Sequence, residues 1–321
     1  MKKKFKILII TPIKHIKKIH TKLSHLGKVK LHENINQNQF KRIIADYDII
    51  FTNPNKSKIY LGEKNLKYAK NLKIICTAST GTNHIDLIYA KSKKIKIISL
   101  KKETDVIKKI SSTAELATAL TLSAVRNIPE AFNSVLSKEW DYEKFIGKQF
   151  NELCIGIIGY GRLGKIYSKL VNALGANVIA YDPYIKIKNK KIIQINSLDK
   201  FVKKCNVISL HVHVNDDTIN MVNKHFLSKC KTNVIIINTS RGEIVNEIDI
   251  LKFLNKNPKA KYYCDVLRDE IKNKFKSPIF KKAIENKNKQ VLITPHIGGM
   301  TTKAQEIAYS HVIELLSKEI I

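Results

Sequence analysis

Short apolar runs alternate with longer stretches of helical periodicity along nearly the whole chain. In the first hundred residues the strand-like runs are Phe5–Ile10, Lys28–Leu31, Asp48–Phe51, Lys73–Thr77 and Ile95–Ile98. Amphipathic patterns lie between them. One, Ile13–Leu26, is followed by Gly27, which reads as a glycine closing the helix just past its end. Next, Ser112-Thr113-Ala114-Glu115 has the spacing of a capping box, and Ala114–Arg126 reads as a long helix without a polar face. A helix of that kind suits a core or a contact with a second subunit. Ile128-Pro129 interrupts it, and Trp140–Gln149 is a polar-aromatic excursion.

The alternation then resumes. Leu153–Ile158, Asn177–Tyr181, Cys205–Leu210, Asn233–Asn238, Lys261–Asp265 and Gln290–Thr294 read as strands, and a terminal helix starts near Thr301. Alternating β and α predicts parallel sheets covered by helices on both faces. With 321 residues the chain has room for about two such domains.

The sharpest signal follows the first of these later strands. Gly159-Tyr160-Gly161-Arg162-Leu163-Gly164 is a G-x-G-x-x-G turn between a strand and a helix, and the next strand ends on Asp182. Gly159 permits a tight turn, Gly161 lets a pyrophosphate approach the backbone, and Gly164 lets the helix pack on the strand. The helix N-terminus offers amide donors and partial positive charge to phosphate. Arg162 presents its backbone there. Asp182 suits the adenosine ribose hydroxyls and repels a 2′-phosphate, which favours NAD over NADP.

Composition changes the picture little. The net charge of +31 is almost all lysine, spread from end to end. Lys, Asn and Ile abound together, as A/T-rich codons dictate. No basic-aromatic interleaving or groove-reading motif appears, so specific nucleic-acid binding is not expected, though the charge suits anionic substrates. The five cysteines are far apart with no C-x-x-C pair, reading as reduced thiols in a cytoplasmic protein and not as a metal site. The N-terminal apolar run stops at Thr11-Pro12, too short for a signal segment, and no run is long enough to cross a membrane.

Ligands of such sheets bind beyond the carboxyl ends of the strands. His211, Arg241, Asp265 and His296 all fall on that edge. Arginine is scarce, five among 58 basic residues, so it is kept where a planar fork is needed. Arg241 could clamp a substrate carboxylate and polarise the adjacent carbonyl. Alcohol–ketone interconversion needs one proton donor near neutral pH, and His296 is the candidate. Glu270 is a candidate carboxylate partner, fixing the tautomer and favouring the protonated ring. The small-residue turn Ser79-Thr80-Gly81 at the end of an earlier strand suits a carboxylate.

Taken together, these motifs resemble the D-isomer-specific 2-hydroxyacid dehydrogenases, and nearly the whole chain is covered. Ser79-Thr80-Gly81 is similar to that family's carboxylate loop, and Thr113–Leu116 to the start of its long dimer helix. The glycine turn, Asn238–Val245 and Thr294–Gly299 resemble its cofactor, arginine and histidine segments; Glu270 stands five residues after Asp265, where the family has its glutamate. The resemblance implies two doubly wound parallel-sheet domains, a Rossmann NAD domain (102–296) inserted into a split flavodoxin-like substrate domain (1–101 and 297–321). It implies catalysis in an interdomain cleft by Arg241, Glu270 and His296, with substrate held by Thr80, Gly81 and Arg241. Gly159, Gly161, Arg162, Leu163, Gly164, Asp182, Thr239, Ser240, Asp265 and Gly298 would bind NAD, with Asp265 facing the nicotinamide carboxamide. It also implies a homodimer.

Three positions depart from the family. His213 replaces a frequent proline, Ile271 follows the glutamate where proline is usual, and Asn53 stands in Phe51–Asn55 where phosphoglycerate dehydrogenases tend to carry an arginine. Lys56 or Lys58 could replace that arginine. The expected reaction is NAD-dependent interconversion of a D-2-hydroxyacid and its 2-oxoacid, with 3-phosphoglycerate the nearest analogy. Hydroxypyruvate or glyoxylate reduction is the alternative within the class, and a non-catalytic NADH-sensing dimer the alternative outside it.

Overall fold

A computed structural model describes residues 5–54, 59–285 and 289–320. The chain divides into two compact units, Met1–Ile110 with Gly299–Ile321, and Ser111–Gly298. The first crossing falls at 110/111, later than 101/102. Helix Thr104–Ile107 belongs to the first unit because Ile107 and Ile110 pack on its core, and Glu103 meets His311 of helix Thr302–Ile320 at 2.6 Å. The return falls at 298/299, because Asp265 binds the amides of Ile297 and Gly298.

The first unit holds a five-stranded sheet of β1 (Phe5–Ile9), β2 (Gly27–Leu31), β3 (Ile49–Thr52), β4 (Ile74–Thr77) and β5 (Lys96–Ile98). All pairs are parallel, in the order β2-β1-β3-β4-β5, the flavodoxin-like arrangement. β3 and β4 are buried at every residue, as strands covered on both faces must be.

The helical periodicity beginning at Ile13 is realised only over Ile19–Leu26, after Lys18 in the left-handed region (φ 63°). Gly27 does not cap that helix in the left-handed conformation. Its φ of −176° is extended and it opens β2 directly. Glycine is needed there for space, since a Cβ would lie 2.3 Å from the carbonyl oxygen of Phe5.

The second unit holds β6 (Cys154–Ile158), β7 (Asn177–Tyr181), β8 (Ile193–Gln194), β9 (Val207–Leu210), β10 (Ile235–Asn238), β11 (Lys261–Cys264) and β12 (Val291–Ile293). The order is β12-β11-β10-β9-β6-β7-β8, all parallel, a Rossmann arrangement with one extra strand. The order reverses between β6 and β9, which defines the ligand-binding crevice of such sheets.

Helix Ser112–Val125 is a core helix of this unit. Ala114, Ala117, Leu120, Ala124 and Val125 are buried beside β6 and β10 side chains. The expected capping box does not form. Ser111 precedes the first turn with no side-chain cap, and its hydroxyl donates to Glu115 instead. The next helix, Ile128–Leu136, buries none of its residues and carries Pro129 in its first turn after a left-handed Asn127. Among the described residues no helix is long and apolar enough to cross a membrane.

Candidate active site

The glycine turn is built as its residue types dictate. Gly159 has φ +91°, and a Cβ there would lie 2.7 Å from the carbonyl oxygen of His211, so only glycine fits. A Cβ on Gly164 would come within 2.1 Å of the Gly159 oxygen, so that glycine lets helix Arg162–Ala173 seat against the turn. Gly161 is different: a Cβ on it meets nothing within 4 Å. The protein's own packing does not require that glycine, whereas a phosphate lying against its backbone does. Leu163 packs on the core behind the turn, and burial lowers the pKa of the half-buried Arg162 guanidinium.

Asp182 is 8% exposed at the end of β7. Its two oxygens accept the amides of Tyr160 at 2.8 Å and Tyr184 at 2.9 Å. A carboxylate has about four acceptor positions, so roughly two remain, enough for two ribose hydroxyls. The residues present therefore fit a dinucleotide with a free 2′-hydroxyl. Tyr184 also donates its hydroxyl to Asp217 at 2.7 Å, linking the loops after β7 and β9.

The remaining candidate residues of this unit lie at the carboxyl edge of three adjacent strands. Arg241 follows β10, Asp265 and Glu270 follow β11, and His296 follows β12. Neighbouring strands sit about 4.8 Å apart, so these loops leave the sheet within roughly 10 Å of one another. His296 Nδ1 lies 2.6 Å from Glu270 Oε1, with the two side chains 22% and 18% exposed. The other Glu270 oxygen accepts the Leu267 amide at 3.4 Å.

His296 has φ 57°, an uncommon conformation for histidine. Asp265 over-determines it. Oδ1 accepts from Thr294 Oγ1 at 2.5 Å and the Ile297 amide at 2.8 Å, and Oδ2 accepts the Gly298 amide at 2.7 Å. Burial raises the Asp265 pKa while these bonds lower it. With three acceptor positions taken, about one remains for a ligand donor such as a carboxamide. Thr113 Oγ1 donates to the Gly298 carbonyl at 3.1 Å.

The Arg241 turn is held by its neighbours. Asn238 donates to the Arg241 carbonyl at 2.9 Å and accepts the Ser240 amide at 3.0 Å, and Ser240 Oγ donates to the Leu210 carbonyl at 2.6 Å. Among the described residues, the guanidinium has one acceptor, the Ser240 carbonyl at 2.6 Å. Thr239 beside it is buried with its hydroxyl unpaired, a donor that a ligand could satisfy.

In the first unit, Thr80 is exposed and Gly81 half-buried at the end of β4. Ser79 Oγ donates to the Gly81 carbonyl at 2.6 Å, which shapes the turn. Below it His84 is fully buried and bonded to Thr77 at 3.2 Å; burial lowers its pKa to about 4, so it is neutral. Asn53 is buried and donates to the Ala78 carbonyl at 3.2 Å, while Lys56 and Lys58 lie outside the described residues.

Among the described residues, His211 makes no bond to Arg241, Glu270 or His296. Its ring lies against Tyr167 at 4.9 Å and its Nε2 meets Ser209 at 2.9 Å, and burial lowers its pKa to about 3. His213 is exposed, and its carbonyl accepts Thr218 Oγ1 at 2.6 Å, so the loop without its proline is closed by a side chain. Sequence reasoning missed Thr294 and Thr113. Their only signal is their position beside Pro295-His296 and at the start of the long helix.

A glycine turn made for a dinucleotide, on a doubly wound sheet with a histidine–carboxylate pair at its edge, defines a nicotinamide-dependent dehydrogenase. Residues 118–298 match the model of the D-isomer-specific 2-hydroxyacid dehydrogenase NAD-binding domain. The chain is 30% identical over 293 residues to a hydroxypyruvate reductase of Thermotoga maritima, covering 90% of each. It is 28% identical over 316 residues to a D-3-phosphoglycerate dehydrogenase of Methanocaldococcus jannaschii, covering 98% of this chain but 57% of that one. Among solved structures it is similar to the D-lactate dehydrogenase of Aquifex aeolicus complexed with NAD and lactic acid (TM-score 0.78, 25% identity, 98% and 95% coverage). The chain belongs to the D-isomer-specific 2-hydroxyacid dehydrogenase family, and is an NAD-dependent oxidoreductase of that family.

Proposed function

We propose that this chain interconverts a small, unphosphorylated D-2-hydroxyacid and its 2-oxoacid, with hydroxypyruvate and glyoxylate as the leading 2-oxoacids. The observation that carries the reading is the 2.6 Å pair of His296 Nδ1 and Glu270 Oε1 at the sheet edge that bears Arg241. Glu270 occupies Nδ1, so the proton exchanged with substrate is the one on Nε2. Bound NAD supplies or accepts the hydride. In the reducing direction His296 protonates the carbonyl oxygen, and Glu270 holds the ring through its bond to Nδ1. Arg241 holds the carboxylate in a fork and polarises the carbonyl.

Gly159, Gly161, Arg162, Leu163 and Gly164 form the phosphate cradle. Asp182 takes the ribose, and Thr239, Ser240, Asp265 and Gly298 line the nicotinamide half. The unphosphorylated substrate is favoured by Asn53, a neutral side chain that is buried and donates to the Ala78 carbonyl, where phosphoglycerate dehydrogenases tend to hold an arginine. The match over 90% of a hydroxypyruvate reductase supports the same choice. The test is NADH oxidation with hydroxypyruvate, glyoxylate, pyruvate, 2-oxoglutarate and 3-phosphohydroxypyruvate. Hydroxypyruvate or glyoxylate should give the highest kcat/KM. A preference for the phosphorylated acid would return 3-phosphoglycerate to first place, and silence on every 2-oxoacid would favour an NADH sensor.

We also place the chain in the cytoplasm as a homodimer. Its five free cysteines suit a reducing compartment. Ile128, Phe132, Val135, Leu136, Trp140 and Tyr142 are 51–89% exposed, a contiguous stretch too apolar for open solvent. A second copy of the same face would cover it. Phe132→Asp with Trp140→Asp should convert a dimer to a monomer in sedimentation velocity; an unchanged mass would exclude this face.

A further inference from the structure

Arg268 lies two residues before Glu270, and its guanidinium makes more hydrogen bonds within the protein than that of Arg241. Its Nη2 donates to the Asn220 side chain, to the Glu243 carbonyl at 2.9 Å and to the Val245 carbonyl at 3.5 Å. Its amide donates to Glu247 Oε1 at 3.1 Å, and Glu247 Oε2 accepts Ser277 Oγ at 2.8 Å. Glu247 is 8% exposed, so its bond with Ser277 is shielded from water and strengthened, while the Arg268 bonds are partly buried.

Glu243, Val245 and Glu247 belong to the segment that leaves Arg241, while Arg268 belongs to the segment that leads to Glu270. The two segments touch without a gap. A Cβ on Gly242 would lie 2.0 Å from the Leu267 carbonyl carbon and 2.2 Å from the Arg268 nitrogen. Asn220 completes the lock: its amide donates to the Glu243 carbonyl at 3.0 Å, and its side chain accepts from Arg268.

We propose that Arg268, with Asn220 and Glu247, is a positioning residue that fixes the Arg241 segment against the Glu270 segment, and so sets where the His296–Glu270 pair stands relative to the carboxylate clamp. This rests on the reading of Arg241, Glu270 and His296 given above. Arg268 touches no reacting atom. It acts because a shift of about 1 Å between proton donor and clamp can cost roughly a hundredfold in rate. Lysine at this position would keep the charge and one donor nitrogen, but would lose the planar group that aims Nη2 at its acceptors.

The test compares Arg268→Met, Arg268→Lys, Asn220→Ala and His296→Asn in the full chain, using the best 2-oxoacid. Arg268→Met should lower kcat by about tenfold or more. Its NADH affinity, read by fluorescence titration, should stay within about twofold of the parent because the glycine turn is untouched. Arg268→Lys should recover part of the loss, and Asn220→Ala should show a smaller loss of the same kind. If Arg268→Met does not fold, the Lys and Ala variants decide by the same criterion. A parental kcat in these variants while His296→Asn is inactive overturns the proposal alone. A fully active His296→Asn overturns the catalytic reading instead.

Discussion

His296→Asn is expected to lower kcat for 2-oxoacid reduction by about a hundredfold or more, the usual scale for a positioned proton donor. Asparagine is the instructive replacement. His296 sits at φ 57°, where alanine would add backbone strain but asparagine is tolerated. The turn itself is held by Asp265, which grips Thr294, Ile297 and Gly298 on either side of the ring. The substitution therefore removes the imidazole and leaves its support. NADH affinity should be unchanged within about twofold, so the loss should fall on kcat and not on cofactor binding. Glu270→Gln should move kcat in the same direction by less, since it leaves the ring in place but takes the negative charge from Nδ1. A His296→Asn enzyme with parental kcat would remove proton transfer by this residue from the mechanism.

Much of this site is legible along the chain because each part is local. A strand, a glycine turn and a helix are contiguous, so Gly159, Gly161 and Gly164 can be assigned their separate jobs from residue type alone. Arg241, Glu270 and His296 are far apart in number but each follows a strand, and parallel topology sends every strand's carboxyl end to one edge. The sheet order then makes β10, β11 and β12 neighbours. What stays hidden is what depends on tertiary distance. Gly27 looks like a helix-closing glycine because nothing in the chain reveals the Phe5 carbonyl beside it. The long apolar helix reads equally as a core element or an interface, and only the structure shows how much of it its own unit buries, while an exposed apolar face belongs to the next helix. Asp265 looks like a cofactor contact, and its carboxylate mostly braces the histidine turn. Arg268 carries no motif at all, and only its coordinates show that it ties the two loops together.

Arg241→Lys keeps the positive charge and is nonetheless expected to lower kcat/KM for the 2-oxoacid by about a hundredfold or more, because an ammonium cannot reproduce a bidentate fork. The loop should survive the change. Asn238 and Ser240 hold its backbone, and the guanidinium contributes only the bond to the Ser240 carbonyl. The loss should appear in both parameters. KM rises because the carboxylate loses paired donors. kcat falls because the carbonyl is no longer held at the angle that His296 can protonate. Arg241→Met, which also removes the charge, should cost about tenfold more, for a total of about 4 kcal/mol, within the roughly 2–5 kcal/mol lost when one partner of a desolvated charge pair is removed. NADH affinity separates this from a disturbed cofactor cradle, and it should stay at the parental value in both variants. If Arg241→Lys retains kcat/KM within about twofold, a point charge is enough and the fork is not how this enzyme reads its acid.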